Sequence, residues 1–180
     1  MDSILNPSNY SFNIYAVFPL IAGIFVLFLG FFVLSKKPGS IVNRSYFIFN
    51  LSIGIYQLGE GLQFSANDED VANRIFRYIS MSGATYVTIN GYFFSLAMLD
   101  KIKGRRRFVI AGYIFFSAAV FSIFFTDIII KGIHQTPWGY YGSAGRFAYI
   151  FIIPYIFYGL LVLKNFYYSY KASETSTKRL

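Results

Sequence analysis

Apolar residues in this chain form five long runs that are separated by short polar or charged segments. Each run has about the 20 residues that an α-helix needs to cross the hydrocarbon core of a bilayer. The pattern predicts an all-α, polytopic transmembrane helical bundle that forms a single domain over residues 1–180 and ends in a polar cytoplasmic tail at 171–180. The five predicted spans cover residues 14–34, 45–66, 74–99, 108–130 and 147–170.

The composition indicates the same class of protein. Of the 180 residues, 56% are hydrophobic and 13% are charged, whereas about 25% of the residues of a typical soluble domain are charged. The first run is bilayer-length and ends in basic residues, which is typical of an uncleaved span rather than a secretory signal. The chain has no cysteine and one histidine, so we expect no disulfide, no metal site and no cofactor.

Basic residues are distributed unequally between the two sides of the predicted bundle. Four of the 16 share a side with most of the acidic residues. By the positive-inside rule the N-terminus lies outside and the C-terminus is cytoplasmic. The net charge of +8 then reflects topology and lipid contact, and we expect no nucleic-acid partner. The other twelve basic residues are Lys36, Lys37, Arg44, Lys101, Lys103, Arg105, Arg106, Arg107, Lys164, Lys171, Lys178 and Arg179.

Two charged residues lie at similar depth in neighbouring spans. Glu60 precedes the acidic loop at 67–70 by about seven residues, and Arg77 follows it by about seven. A charge inside a membrane is costly unless it is paired or faces a polar cavity, so it indicates a functional site. Because the two spans form an antiparallel hairpin, we expect a Glu60–Arg77 ion pair or a ligand site. Three further residues complete the candidate site: Gln57, Arg74 and Trp138.

Each of these features also has a structural interpretation. Small and amide residues on one helix face are typical of helix packing in membranes, and Arg74 can extend its charge to the interface. Trp138 suits the interfacial aromatic belt. The small and amide residues that share one face of the second span are Asn50, Gly54, Gln57 and Gly61.

A series of landmarks follows the chain in a characteristic order. They are Asn43, Ala72, Phe76-Arg77-Tyr78, Gly83, Phe93-Phe94, Trp138-Gly139-Tyr140-Tyr141-Gly142 and Thr177-Lys178-Arg179. Their order and spacing resemble the N-terminal seven-helix membrane region of many bacterial histidine kinases. The chain departs from that pattern at Tyr56, where the family often has tryptophan, and at Asn90-Gly91, where it often has proline.

The resemblance implies a sensory or signal-input module in a bacterial inner or plasma membrane, truncated after the fifth helix and without an output domain. Its implied partners are the lipid bilayer, an unknown small-molecule or physical stimulus, and either a second copy or a downstream signalling protein. A small transporter or channel, which needs several ionisable groups along a path, and a non-signalling membrane scaffold are the alternatives. We find no nucleophile–base pair, paired acids or metal set in the spans, so we do not expect an enzyme.

Overall fold

A computed structural model describes the backbone of residues 4–177 and the side chains of residues 4–171. Most of the predicted polar tail therefore lies outside the described side chains, and Lys178 and Arg179 lie outside the described residues. After a short 3₁₀ turn (Pro7–Asn9), the elements in chain order are α1 (Ile14–Lys36), α2 (Ile41–Ser65), α3 (Glu69–Ile75), a π-helical turn (Phe76–Ser80), α4 (Met81–Met98), α5 (Ile102–Phe125), strand β1 (Ile130–Thr136), strand β2 (Gly139–Ala144) and α6 (Ala148–Thr177).

Within the part of the chain that the structure describes, three helices are long and apolar enough to cross a membrane: α1, α5 and residues Ala148–Lys171 of α6. Large apolar side chains on these helices are exposed, for example Phe18 at 75%, Ile114 at 67% and Leu163 at 65%. Exposed apolar faces of this extent are compatible with a membrane protein. The prediction of a mostly helical chain is confirmed, and apolarity of this degree is found in three of the five helical segments predicted as spans.

The helices α2 and α4 are less apolar because they occupy the interior of the bundle. Helix α1 packs along α2, α2 packs along α4, and α4 contacts both α5 and α6. A Cβ at Gly54 would approach Leu27 Cγ of α1 to 2.5 Å, and one at Gly61 would approach Leu20 Cγ to the same distance. The small-residue face of the second span is therefore used in packing, as expected, and these two glycines pack against α1.

Polar side chains in the interior form hydrogen bonds between helices. Asn90 of α4 donates to Ser52 Oγ of α2 at 2.5 Å and accepts from the Tyr113 hydroxyl of α5 at 2.5 Å. Nearer the C-terminal end of α4, Asn165 of α6 donates to Ser95 Oγ at 2.8 Å. Such bonds satisfy groups that neither lipid nor apolar side chains can satisfy. The asparagine at position 90, where the chain departs from the seven-helix pattern, thus joins three helices.

The acidic loop at 67–70 has a local structural role. Asp68 caps α3, since its carboxylate accepts from the backbone N–H of Val71 at 2.9 Å. Glu69 and Asp70 lie in the first turn of α3, where negative charge interacts favourably with the helix dipole. The helix therefore begins at Glu69, five residues before the predicted start of the third span at residue 74.

The structure also corrects the segment after the fourth span. Helix α5 begins at Ile102 and ends at Phe125, whereas the predicted span covered residues 108–130. Residues 131–146, expected as a loop, contain most of an antiparallel hairpin whose strands pair from Ile130 with Ala144 to Thr136 with Gly139. A short apolar run such as 128–130 fits a helix or a strand equally well. The all-α prediction is wrong for this segment.

The hairpin lies against one end of the bundle, which we call the hairpin end. Asn13 holds it there by donating to the carbonyl oxygens of Phe64 at 2.7 Å and Trp138 at 2.9 Å. Gly139 has a φ of +131°, and a Cβ there would lie 2.9 Å from Phe64 Cα, so this close approach requires glycine. The opposite end carries the basic segments around residues 36–44 and 101–107, and we call it the basic end.

Candidate functional site

Arg77 is buried at the hairpin end, with 9% of its surface exposed. Its guanidinium donates to the carbonyl oxygens of Ile123 at 2.9 Å, Thr126 at 3.0 Å and Ile130 at 3.1 Å. It also forms an ion pair with Asp127. Arg77 therefore donates to carbonyl groups at the end of α5, in the segment that follows it and at the start of β1. It joins the π-helical turn to both elements.

The expected ion pair between Glu60 and Arg77 is not formed, because Arg77 pairs with Asp127. The carboxylate of Glu60 instead accepts from the Tyr56 hydroxyl at 3.1 Å. Two physical factors explain the difference. The i→i+5 bonding of the π-helical turn changes the direction of side chains relative to a regular helix. The carbonyl groups that end α5 also attract a cation.

A cavity of about 380 Å³ lies beside Glu60, between α2, α4, β2 and α6. We call it the Glu60 cavity. Polar side chains on its wall come from three elements and are Tyr56, Gln57, Glu60, Gln63, Tyr141 and Tyr155. The remaining wall is apolar and consists of Ile53, Phe76, Met81, Ala84 and Val87. A concave, mostly apolar space with a few converging polar groups is the general form of a small-molecule site.

The polar wall is held in place by bonds within α2 and to the hairpin. Gln63 is 1% exposed, and it donates to the carbonyl oxygen of Tyr140 at 2.8 Å. Tyr56 and Glu60 are four residues apart, so they lie on the same face of α2. A carboxylate offers about four acceptor positions. Glu60 can therefore accept further hydrogen bonds from a donor in the cavity.

The five predicted site residues do not all share this cavity. Glu60 and Gln57 lie on its wall. Arg74 is exposed on α3, and Trp138, at the hairpin turn, is 44% exposed. Arg77 bonds to α5 and β1, away from the cavity wall. The structure thus brings together two of the five residues, and the other three have different surroundings.

Three residues that matter here were not among the predicted site residues. Asp127 is the partner of Arg77, and its position at the outer end of the fourth predicted span placed it at the same side of the bundle. Tyr141 and Tyr155 line the Glu60 cavity. With 16 tyrosines in the chain, no sequence signal separates these two from the others.

The chemistry of the site must be inferred from its own geometry. Comparisons with protein-family models, with curated proteins and with solved structures give no match. Among the described residues, no group of three or more His, Asp or Glu side chains is arranged to hold a metal ion. The arrangement that remains is a carboxylate and an amide at the edge of an apolar cavity. Such a pair can bind a small molecule that carries a hydrogen-bond donor or a positive charge.

Proposed function

We propose that this chain is a sensory input module of a bacterial plasma membrane and that the Glu60 cavity is its input site. The observation that carries the proposal is the composition of the cavity wall, which takes residues from α2, α4, β2 and α6. A ligand that contacts α2 and α6 together favours one separation of these helices over another. A packed helix transmits such a displacement to its far end, which for α6 is the basic end of the bundle.

In the proposed arrangement, all five helical segments cross the bilayer. The segments α2 and α3–α4 can do so although they are less apolar, because many of their small and polar residues face other helices. The basic end faces the cytoplasm according to the positive-inside rule. The hairpin and the Glu60 cavity then lie at the outer side, where a stimulus from outside the cell can reach them.

The first prediction concerns this orientation and uses the fact that the natural chain has no cysteine. Gln135→Cys places a thiol on the hairpin, and Gly39→Cys and Gly104→Cys place thiols at the basic end. A Cβ at either glycine meets no atom within 4 Å, so both substitutions fit. In intact cells, a membrane-impermeant maleimide should label Gln135→Cys alone, and permeabilised cells should show labelling of all three. Labelling confined to the two basic-end variants in intact cells would contradict the orientation.

The second prediction concerns ligand binding. Glu60→Gln should weaken the binding of hexylamine, a small cationic probe, by about tenfold or more, because a charge-assisted bond exceeds a neutral one by about 1–2 kcal/mol. Binding is measured by titration calorimetry on protein in lipid nanodiscs. Glu69→Gln, an exposed acid on α3 that does not line the cavity, is the matched control and should bind like the wild type. Equal affinity in the wild type and Glu60→Gln would refute the role of Glu60.

A further inference from the structure

We propose that the ligand of the Glu60 cavity is a single-chain amphiphile with a cationic amine head, and that its apolar chain lies in a groove along α4. This inference rests on the proposed function and names the chemical class of the ligand. The head would contact Glu60 and Gln57 at the hairpin end. The chain would extend towards the basic end between α2 and α6.

The groove is a second cavity of about 400 Å³ on the same side of α4. Its wall includes Phe49 of α2, Gly91 of α4, and Gly159 and Leu163 of α6, and it is almost entirely apolar. Val87 of α4 lines both this groove and the Glu60 cavity. The two spaces therefore share part of their wall, and the proposed ligand occupies both as one channel that is polar at one end and apolar at the other.

The dimensions of this channel match one leaflet of a bilayer. Along α2 the wall passes from Glu60 through Ile53 to Phe49. At a rise of 1.5 Å per residue, Glu60 and Phe49 are separated by about 16 Å along the helix axis. The hydrocarbon core of a bilayer is about 30 Å thick, so one leaflet contributes about half of that. A head bound at Glu60 thus places its chain within the leaflet on the hairpin side.

A cluster of aromatic residues follows the groove towards the basic end. Phe94 stacks against Phe49 with ring centroids 6.2 Å apart, and it packs against Phe166 of α6 at the same distance. A Cβ at Gly91 would lie 3.1 Å from Phe49 Cε2 and 3.5 Å from Val162 Cγ2. Because Gly91 has no side chain, the groove has free space next to these rings. In the proposed complex, these rings limit the length of the chain that the groove holds.

The charge on the wall selects the head group. Glu60 is a carboxylate, and no Lys or Arg among the described residues lines either cavity. An anionic head, such as that of a fatty acid or a phosphate ester, would meet Glu60 without a compensating cation. An ammonium group would pair with the carboxylate and donate further bonds to Gln57. The complementary ligand is a long-chain amine.

The test uses dodecylamine with a photoreactive diazirine at the end of its chain, bound to the full chain in lipid nanodiscs. After irradiation, peptide mapping should place the label on groove residues of α4 and α6, around Gly91 and Leu163. Unlabelled dodecylamine should compete, and Glu60→Gln should lower this labelling about tenfold through loss of the charge-assisted bond. A dodecanol probe with the same diazirine should give weak labelling at these residues.

A second variant tests the groove separately from the head site. Gly159→Leu is designed to fill the groove, and a Cβ at Gly159 makes only an ordinary contact, with Thr88 Cγ2 at 3.9 Å. It should abolish groove labelling while hexylamine still binds in a Glu60-dependent manner. Gly104→Leu, at an open position outside both cavities, is the matched control and should label like the wild type.

Each other outcome overturns the inference and reports differently on the proposed function. If hexylamine binding depends on Glu60 but the chain label never reaches the groove, the amphiphile inference fails and the input site stands. Labelling of the groove by the dodecanol probe as strong as that by the dodecylamine probe would show that binding does not require a cationic head. Label spread evenly over α1 and α5 would indicate ordinary lipid contact. A groove occupied by a second copy would give cross-linked dimers and no competition by dodecylamine. If the binding of hexylamine and that of dodecylamine are both independent of Glu60, both proposals fail.

Discussion

Arg77→Met is expected to lower the free energy of unfolding by about 3–5 kcal/mol, because a buried guanidinium that donates to three carbonyl groups is removed. Most of this loss arises because the carbonyl groups of Ile123, Thr126 and Ile130 lose their donor. Each buried carbonyl left without a partner costs about 1–3 kcal/mol, partly recovered where water can enter. The hairpin should also detach more easily from α5, since Arg77 joins the two. Chemical unfolding in detergent, followed by circular dichroism, measures the change.

The control for this prediction is Asp127→Asn. The side chain of Asp127 is 72% exposed, and exposed ion pairs contribute about 1 kcal/mol or less. The loss of stability in Arg77→Lys should lie between the losses in Asp127→Asn and Arg77→Met. A lysine keeps the charge but lacks the planar guanidinium that reaches several carbonyl groups. A loss for Asp127→Asn as large as that for Arg77→Met would contradict this explanation, because it would make the ion pair, and not the carbonyl contacts, the source of stability.

Gly83→Ala is expected to destabilise the chain by about 1–3 kcal/mol, as added groups in well-packed interiors do. A Cβ at Gly83 would overlap the backbone nitrogen of Tyr56 and would lie 2.6 Å from the carbonyl oxygen of Ser52. Because both are backbone atoms of α2, the two helices must separate to make room. Since Tyr56 lines the Glu60 cavity, weaker hexylamine binding should accompany the loss of stability.

Gly104→Ala is the matched control for Gly83→Ala. Gly104 also lies in a helix, but a Cβ there meets no atom within 4 Å. Alanine is the better helix former by about 0.5–1 kcal/mol, so Gly104→Ala should be neutral or slightly stabilising. The two variants are compared by thermal unfolding under the same conditions. Equal effects at the two positions would show that close packing of α2 on α4 is not what Gly83 provides.

Hydropathy was sufficient to predict the helices but not all of their boundaries. The start of α1 at Ile14 agrees with the first apolar run, since Asn13 caps the helix there. The first residues of α3 and α5 precede the predicted starts of the third and fourth spans, because polar residues can be helical outside an apolar run. Glu69 and Asp70 are favourable at a helix N-terminus, and the basic segment at 103–107 forms the N-terminal part of α5.

The candidate site was only partly predictable. The sequence indicates how deep a residue lies in the bundle more readily than it indicates the direction in which its side chain points. Glu60 and Arg77 were expected to meet because they lie at similar distances from one loop. The π-helical turn that contains Arg77 changes the angular relation between residues, and no composition rule revealed it. The hairpin residue Tyr141 reaches the cavity through strand pairing. Such a contact depends on tertiary structure, which the local pattern of residues does not contain.

The central claim is that a ligand in the Glu60 cavity displaces α6, and the distance between two spin labels tests it directly. Gly104→Cys and Tyr167→Cys carry the labels near the basic end of α5 and α6; Tyr167 is 61% exposed, so a label there is accommodated. At a hexylamine concentration that just saturates the wild type, the distance should shift by about 1–2 Å, the scale of helix displacements in allosteric transitions. Glu60→Gln, which binds the amine about tenfold more weakly, should show a clearly smaller shift. Saturated binding in the wild type with no change in the distance distribution would contradict the account.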